Sequence, residues 1–590
     1  MKSHFLLTNR LIMSNSLSLE LSHGSDCCDL YTSKSFLKSF NDTIILIDGY
    51  VLLGNKTKDD LSYRRSQHEL VFKLFQKHGK DFINYIKGFF YIVLICKDQV
   101  YVFNDQLGLN KFFYFQSGNT ISISNSYKTL YQQKNEKQIN RSMIFQKALL
   151  NREVDGQTII DGILFSQPAT FISIKKGEIT IGNYWDYQSV REPQNTDDSY
   201  PFFAELLKNN IENYHQTLNH QSAAITLTGG KDSRTALCAL LASGIKPLGI
   251  TYGNPASKDA VYASKMAKAA GIEHVVYTPE KTSQWFEKAA MDIISLDNPL
   301  INIHRSHRHS AFKQVQHLLG EDVVYYGGYL GGELLMGPYY DDLIFTRFVT
   351  DTWDTGKISG NVSEILKEKF VKPPDNSLEL TDHLSAVQAL NAHNSKAEMQ
   401  FNGLFEIGIL HHSQDLFIAG KILKYPIAFF LDLDFLSRIL SSVHSYENKR
   451  DSRTRNLVKR YELYEFNLNL QHILYPDLDH APFAKKGSYN TKEFLNGPYY
   501  WSFVKALRYL ADRKKYPPTF SYNEEYKAFI LKYLKKICEE KKSWVHDYYD
   551  VPSAIAALEV RPLFVQEKDW HPYSNIVMHY LQLKWYEDDL

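Results

Sequence analysis

The sequence has few cysteines, no long apolar run and almost no net charge, and each absence excludes a class of protein. Its five cysteines among 590 residues have neither the spacing of a zinc site nor the density of a disulfide framework, which favours a reducing compartment. Its longest apolar runs, such as residues 89–96, have the length of a strand and cannot span a membrane. A formal net charge of +1 gives no overall field that would attract nucleic acid or an anionic membrane.

The first residues also lack the features of a secretory leader, because the apolar part of MKSHFLLTNRLIMSNS is short and interrupted. Internal repeats and low-complexity tracts are absent. We therefore expect a cytoplasmic protein that binds neither membrane nor nucleic acid. A hydrophobic content of 44% is ordinary for a globular protein, and 590 residues suffice for two or more domains.

The most informative stretch is TGGKDS, residues 228–233. It follows the apolar run 223–227, which predicts a buried strand, and precedes residues 234–243, which have the pattern of an amphipathic helix. Glycines let a backbone approach an anion closely, and the free N–H groups of a helix N-terminus point at it. Asp232 would repel a phosphate unless a divalent cation lay between them. The stretch therefore predicts a site for Mg²⁺ and a nucleotide.

This loop is not the GxxxxGK[ST] loop of the kinase-like NTPases. It resembles the SGGxDS pyrophosphate loop of the asparagine synthetase and N-type ATP pyrophosphatase group, with Thr228 in place of the first Ser. The resemblance implies ATP and Mg²⁺ as cofactors. The nucleotide-binding positions that it implies are Leu227, Thr228, Gly229, Gly230, Lys231, Asp232, Ser233, Thr251, Tyr252, Gly253 and Gly328.

Strand and helix patterns alternate after the loop. Residues 246–253, 274–277 and 322–326 have strand patterns, and residues 259–271 have a helical pattern that ends at a glycine. This alternation predicts a doubly wound parallel sheet whose ligands lie at the carboxyl ends of the strands. We expect an α/β fold in which residues 200–590 form a doubly wound, adenine-nucleotide α-hydrolase-like (PP-loop) synthetase domain that binds ATP.

A second glycine loop, GGYLGGE at residues 327–333, resembles GEGSDE of asparagine synthetases and GYGSD of β-lactam synthetases. The resemblance places Tyr329 at the position that governs amine deprotonation, which favours an amine substrate over ammonia. It places Gly332 where the family has a metal-binding Asp. Asp232 remains as a predicted metal ligand, and Glu333, which follows Gly332 in the sequence, is the candidate for a second ligand.

The segment DLDHAPFAKKG, residues 477–487, resembles the family's R-x-K-x-G stretch, with Phe483 in place of the Arg. The resemblance implies a lysine that stabilises pyrophosphate and the developing oxyanion. We predict Lys485 for this role, with Lys486 as the alternative; two lysines in a loop are otherwise ordinary solvated surface. The acidic residue expected before the R-x-P-F-L-D-like segment 424–432 aligns with Ile422, so a Tyr–Glu dyad is not expected.

The basic cluster at residues 304–309, HRSHRH, allows two interpretations. It could face pyrophosphate or an acidic substrate, or it could be one solvated face of a helix. Its histidine spacing does not indicate a metal site.

The N-terminal third has short strands, and it contains GFFY at 88–91, DxxGxxxFFY at 105–114 and ISNS at 123–126. These motifs resemble the glutaminase-type domain of asparagine synthetases, so we expect an Ntn-like α+β sandwich over residues 1–190 and a linker at 186–199. The family's nucleophile is a Cys at residue 1, whereas this chain begins Met1-Lys2-Ser3 and its first cysteine is Cys27. The glutamine-binding Asn-Gly-Glu aligns with residues 48–50, Asp-Gly-Tyr. We therefore expect a degenerate class II glutamine amidotransferase-like scaffold that packs on the second domain.

Together these features predict an ATP-dependent ligase that adenylates a carboxylate and joins it to an amine without its own glutaminase. Its partner would be a small molecule or peptide that carries a carboxylate and an amine. Similarity to β-lactam synthetases and lasso-peptide cyclases implies lactam or macrolactam formation. Ammonia- or glutamine-dependent amidation of a small acid or sugar acid is the alternative, and Gly332 and Ile422 keep a nucleotide-binding pseudoenzyme open. The sequence leaves the substrate and the oligomeric state undetermined.

Overall fold

The computed structural model describes most of the chain. The described residues are 5–8, 21–24, 29–32, 37–54, 66–96, 99–150, 153, 155–186, 198–219, 221–336, 355–374, 409–445, 457–484, 488–511, 516–519, 523–560 and 570–587. The predicted linker falls mostly outside them, and so do Cys27 and the predicted catalytic residues Lys485 and Lys486.

The N-terminal part is built from two antiparallel sheets. The strands are β1 Phe5–Thr8, β2 Leu21–Gly24, β3 Asp29–Thr32, β4 Leu37–Phe40, β5 Thr43–Leu53, β6 Ile86–Cys96, β7 Gln99–Asn104, β8 Phe113–Ser117, β9 Thr120–Ser124, β10 Leu164–Phe165, β11 Thr170–Lys175 and β12 Glu178–Asn183. One sheet has the order β10-β8-β9-β1-β3-β2 and the other β12-β11-β7-β6-β5-β4. Strands β5 and β6 are rich in Ile, Val, Leu and aromatic residues, which suit a pleated, buried surface.

The two sheets pack face to face. Phe5 and Ile123 from the first sheet share a buried cluster with Tyr91, Val93 and Ile172 from the second. The helices of this part are α1 Gln67–His78, α2 Tyr127–Gln133 and α3 Arg141–Leu150. Helix α1 covers the outer face of the second sheet, and α2 packs against β8 and β9 of the first. This arrangement is the predicted α+β sandwich.

The second part is a five-stranded parallel sheet between helices. Its strands are β13 Ser222–Thr226, β14 Leu248–Tyr252, β15 His274–Tyr277, β16 Val323–Gly327 and β17 Lys424–Ala428, in the order β15-β14-β13-β16-β17. The helices are α4 Tyr200–Thr217, α5 Asp232–Ala242, α6 Lys258–Ala270, α7 Ser283–Ile294, α8 Ser306–Leu319, α9 Gly331–Met336, α10 Thr355–Glu368, α11 Ile409–Leu423, α12 Leu433–Ser441, α13 Leu457–Leu474, α14 Thr491–Leu495, α15 Pro498–Ala511, α16 Asn523–Glu539, α17 Val545–Tyr548, α18 Val551–Val560 and α19 His571–Tyr586.

The predicted fold class is confirmed, since an antiparallel α+β sandwich precedes a parallel doubly wound sheet. Strands β13 to β16 lie within two residues of their predicted positions, and α5 begins at Asp232, two residues earlier than expected. The division near residues 190 and 200 stays a prediction. Among the described residues, no helix has the length and apolar character needed to cross a membrane.

Buried charge joins the two parts. Lys87 Nζ on β6 lies 2.7 Å from Asp432 Oδ2 at the start of α12, and it also contacts Asp434. Asp432 accepts further hydrogen bonds from Asn210 and Tyr214 on α4, at 2.6 and 2.7 Å. Because Lys87, Asp432 and the two α4 side chains are buried, the contact fixes how the sandwich packs on the second part of the chain.

Candidate active site

The loop at residues 228–233 connects the carboxyl end of β13 to the amino end of α5. Gly230 N–H donates to Thr228 Oγ1 over 3.1 Å, and Thr228 N–H donates to Ser233 Oγ over 3.2 Å. The hydroxyl groups of Thr228 and Ser233, which lie at predicted nucleotide-binding positions, therefore also stabilise the turn of this loop. Their contact with a ligand, like that of the other predicted nucleotide positions, stays a prediction.

Gly229 has a structural reason to be glycine. A Cβ at this position would lie 2.0 Å from Ala484 Cβ, and Gly229 O accepts the N–H of Ala484 at 2.8 Å. The close approach of the 481–484 segment therefore leaves no room for a side chain at Gly229. Lys485 follows Ala484 directly in the sequence. Lys485 and Lys486 lie outside the described residues, but the chain that leads to them is hydrogen-bonded to the 228–233 loop.

Arg234, in the first turn of α5, holds the same segment, and sequence reasoning missed it. Its guanidinium donates to Ala481 O at 2.5 Å and to Pro482 O at 2.7 Å, and it lies 3.7 Å from the centre of the Phe483 ring. Burial lowers the pKa of Arg234 to about 10, so it remains charged at neutral pH. Phe483, which departs from the expected Arg, is therefore a stacking surface for a different arginine.

Lys231 was expected among the nucleotide contacts. The structure places its side chain in a buried position, with Nζ 3.2 Å from the centre of the Tyr464 ring on α13. This cation–π geometry holds the ammonium group against α13. A phosphate contact by this side chain stays a prediction.

Helix α13 also supplies two amides that the sequence did not single out. Asn467 Nδ2 donates to Asp232 Oδ1 over 3.2 Å, and Gln471 Nε2 donates to Lys231 O over 3.1 Å and to Thr235 Oγ1 over 2.9 Å. The two amides are four residues apart and share one face of α13. Both are buried, so they fix the start of α5 and the carboxylate on it.

The second glycine loop meets the first. A Cβ on Gly328 would lie 3.0 Å from Ser233 N, so the loop after β16 lies against the start of α5. Glu333, in the first turn of α9, interacts electrostatically with Asp232. Burial, and then Asp232, raise the pKa of Glu333 to about 7.

This pair of carboxylates bears on the predicted metal. Two neighbouring acids that resist joint ionisation are stabilised by a cation between them, and Mg²⁺ commonly uses one or two carboxylates together with phosphate oxygens and water. Asp232 and Glu333 fit such an ion. No group of three or more His, Cys, Asp or Glu side chains that could hold a metal occurs in the described part of the chain. The described side chains would therefore supply only a few of the ligands of the ion.

Tyr329 lies in a chain of hydroxyl groups. Its Oη is 2.8 Å from Tyr325 Oη, which is 2.5 Å from Thr226 Oγ1. Gly327 makes room for the ring, because a Cβ there would lie 2.0 Å from it. Burial and the nearby Tyr325 and Asp415 raise the pKa of Tyr329 well above its usual value. In the predicted role, the neutral phenol would relay a proton along this chain, since a phenolate base is disfavoured.

The carboxyl end of β14 borders the same loop. Thr251 Oγ1 donates to Leu227 O at 2.7 Å and lies 2.9 Å from His274 Nε2. Gly253 has φ +111°, and its Cβ would lie 2.4 Å from Thr519 O. Tyr252 is half-buried, with its ring 5.2 Å from that of His307. Thr251, Tyr252 and Gly253, three of the predicted nucleotide-binding positions, thus lie together at the carboxyl end of the strand next to the 228–233 loop.

The basic cluster is largely internal. Arg305 Nη1 is 2.5 Å from Asp415 Oδ1, and Arg308 contacts the other carboxylate oxygen. Although burial alone would raise it, the two arginines lower the pKa of Asp415. Arg305, His307 and His309 are buried, so the interpretation as a solvated helix face is wrong. Asp415 was missed because it is 110 residues from Arg305 in the sequence.

In the sandwich, Asp48 occupies the position aligned with the family's glutamine-binding segment. It accepts a hydrogen bond from Tyr91, and Lys421 Nζ of α11 lies 3.3 Å from its Oδ2. Asn125 Nδ2 donates to Tyr91 Oη over 2.6 Å, and Phe5 N–H donates to Asn125 Oδ1 over 2.9 Å. This polar network links the sandwich to the second part of the chain.

Comparison with known proteins agrees with these features. Residues 35–185 match the family model of a glutamine amidotransferase domain. Over 229 residues, the chain is 22% identical to asparagine synthetase [glutamine-hydrolyzing] 3 of Bacillus subtilis (strain 168), a match that covers 38% of this chain and 36% of that protein. Part of this chain is therefore similar in sequence to an asparagine synthetase. The match spans about a third of that relative's length.

Two solved structures overlap with parts of this chain. Glutamine phosphoribosylpyrophosphate amidotransferase from B. subtilis, complexed with ADP and GMP, is 10% identical with a TM-score of 0.19, covering 57% of this chain and 75% of that one. Glutamine-dependent NAD⁺ synthetase from Acinetobacter baumannii, in complex with ADP, is 15% identical with a TM-score of 0.19, covering 48% and 62%. With TM-scores this low, neither likeness bears on function.

Proposed function

We propose that this protein is an ATP-dependent carbon–nitrogen ligase that activates a carboxylate as an acyl-adenylate, releases pyrophosphate, and joins the acyl group to an amine with release of AMP. The observation that carries the proposal is the convergence of two glycine loops. The loop at residues 228–233 and the loop at 327–333 follow neighbouring parallel strands, and Gly328 lies against Ser233. Ligands of doubly wound sheets bind at such a carboxyl edge.

The position of each residue in the site indicates which part of Mg²⁺–ATP it would contact. The N–H groups at the start of α5 would bind the phosphates, together with the Thr228 and Ser233 hydroxyls, which lie close to each other in this loop. Asp232 and Glu333 would hold Mg²⁺, which neutralises charge on the phosphates when it is bound. The backbone from Thr251 to Gly253 would contact adenine.

In the first step, an oxygen of the substrate carboxylate attacks the α-phosphorus of ATP, and the bond to the β-phosphate breaks. In the second, the amine nitrogen attacks the acyl carbon, AMP leaves, and the amine loses a proton. Lys485, with Lys486 as the alternative, would stabilise the departing pyrophosphate and the developing oxyanion. Ala484, which directly precedes Lys485, is hydrogen-bonded to the glycine loop, and Arg234 hydrogen-bonds the same stretch of chain at Ala481. Both contacts hold the chain that leads to Lys485, which supports that role.

We further propose that the amine arrives with the substrate, so that the product is an amide, a lactam or a macrolactam. The proposal rests on Tyr329, which matches the Tyr of β-lactam synthetases, and the hydroxyl chain from Tyr329 through Tyr325 to Thr226 would carry the proton that the attacking nitrogen loses. The alternative, ammonia from glutamine, predicts measurable glutamine hydrolysis by the pure chain.

The test is exchange of labelled pyrophosphate into ATP, with Mg²⁺, across a panel of amino acids, dicarboxylates, sugar acids and amino-acid-terminated peptides. Exchange with the wild type that is lost in Asp232→Ala and kept in Asp292→Ala, an exposed control on α7, supports adenylation. Nucleotide binding without exchange for any acid would favour the pseudoenzyme, and Gly332→Asp would then show whether a carboxylate restores turnover.

A further inference from the structure

Helix α15 exposes an unusual amount of apolar surface. Of the twelve large apolar side chains that are exposed in the described chain, six lie on this helix of 14 residues. They are Tyr499, Tyr500, Phe503, Leu507, Tyr509 and Leu510, with exposed fractions of 76, 49, 61, 52, 53 and 73%. Scattered apolar residues are normal on a surface, whereas this concentration indicates an interaction site.

The spacing places four of these residues on one face. Tyr499, Phe503, Leu507 and Leu510 recur at three- and four-residue intervals, which forms a continuous stripe on a helix. At about 1.5 Å per residue, the stripe is roughly 16 Å long. We call these four residues, with Tyr500 at their edge, the α15 stripe.

The opposite face of α15 is fixed to the protein. Trp501 is buried, and Lys505 Nζ lies 4.8 Å from the centre of its ring. Arg508 contacts Glu493 and donates from Nη1 to Ser488 O over 2.9 Å. Lys505 and Arg508, the two cations of the helix, therefore make their contacts on the face opposite the stripe, and the stripe itself carries no charge.

We propose that the α15 stripe is a contact between two copies of this chain, in which α15 packs antiparallel to α15 of the second copy across a twofold axis. A twofold axis pairs a patch with itself, which suits an uncharged stripe that offers a charged ligand no complementary group. Antiparallel helices also place opposite ends of their dipoles side by side.

The area suits a modest dimer. If a fully exposed side chain of this size presents roughly 150–200 Å², the stripe offers about 500–600 Å² per copy, or about 1,000–1,200 Å² in total. That total exceeds most adventitious contacts and lies at the lower limit of specific interfaces. We therefore expect a dimer that dissociates in the micromolar range. This inference does not depend on the proposed ligase activity.

The test is sedimentation equilibrium of the full chain from about 1 to 100 μM. The wild type should show a monomer–dimer equilibrium, and Phe503→Glu with Leu510→Glu should raise the dissociation constant at least tenfold. The matched control, Leu318→Glu with Val560→Glu, puts the same charges at exposed apolar sites on α8 and α18 and should leave the equilibrium unchanged. Circular dichroism and the melting temperature establish that each variant is folded.

Charge pairing tests the antiparallel geometry. Phe503 lies near the middle of the stripe, so it would approach the twofold axis. Phe503→Lys and Phe503→Glu should each be monomeric alone and should form a mixed dimer when combined. A wild type that stays monomeric at every concentration overturns the proposal, and so does a dimer that survives the Glu substitutions. A monomer that instead binds a different protein through the stripe also overturns it.

Discussion

The side-chain amide of Asn467 and the carboxylate of Asp232 are joined by a hydrogen bond of 3.2 Å from Nδ2 to Oδ1. The bond joins α13 to the first residue of α5, at the point where the glycine loop ends. A carboxylate that is meant to hold a metal must keep one orientation, and groups that hydrogen-bond to a metal ligand supply that constraint. Asn467 is therefore a positioning residue for the proposed Mg²⁺ site.

The first prediction follows from this contact. Asn467→Leu should raise the Mg²⁺ concentration needed for half-maximal pyrophosphate exchange about tenfold, the effect expected when a supporting partner of a metal ligand is lost. The ATP concentration dependence, measured at saturating Mg²⁺, should change far less. The measurement is a Mg²⁺ titration of the exchange rate.

Gln471→Leu is the matched control for this prediction. Gln471 is one helical turn further along α13 and contacts Lys231 O and Thr235 without contacting Asp232. It should lower stability without a specific change in Mg²⁺ dependence. Equal Mg²⁺ titrations for Asn467→Leu and the wild type would contradict the positioning role.

A second prediction concerns Gly229. Gly229→Ala would bring a Cβ to 2.0 Å from Ala484 Cβ, so the loop and the segment leading to Lys485 must separate. We expect loss of at least tenfold in exchange rate. Gly230→Ala is the control, because its Cβ would meet only Thr228 Oγ1, at 3.0 Å. If both variants behaved alike, the close contact with Ala484 would not be what requires glycine.

The interface between the two parts gives a third prediction. Lys87→Met would leave Asp432 and Asp434 without their buried cation, and removing one partner of a buried pair typically costs about 3–5 kcal/mol. Lys424→Met breaks a pair with Asp322 in which both side chains are more than half exposed, and such pairs contribute less than about 1 kcal/mol. Denaturant unfolding of both variants checks the difference. A similar loss in the two would mean that the Lys87 pair does not hold the parts together.

The sequence predicted the elements well, because the signals for them are local. The apolar run before the glycine loop, the glycine after α6 and the alternating strands each depend on neighbouring residues. The contacts that orient the candidate site are not local. Asn467 is 235 residues from Asp232, and Arg234 is 247 residues from Ala481, so no spacing rule could have paired them. The buried state of Arg305 likewise depends on the distant Asp415.

The last prediction concerns acid. His579 on α19 is buried and shares a hydrogen bond of 2.8 Å between its Nδ1 and Tyr549 Oη. Burial, and then Lys147, lower the pKa of His579 to about 3. The unfolded chain, with an ordinary histidine pKa of about 6.5, binds a proton that the folded chain refuses between those two values. The free energy of unfolding should therefore fall as pH drops below about 6.5, by up to about 1.4 kcal/mol per pH unit from this group.

His579→Gln removes the titrating group, so the stability of this variant, although lower at pH 7.5, should decline less between pH 6.5 and 4.5. Thermal unfolding of the two proteins across that range measures the difference, and parallel declines would show that His579 does not cause the acid sensitivity.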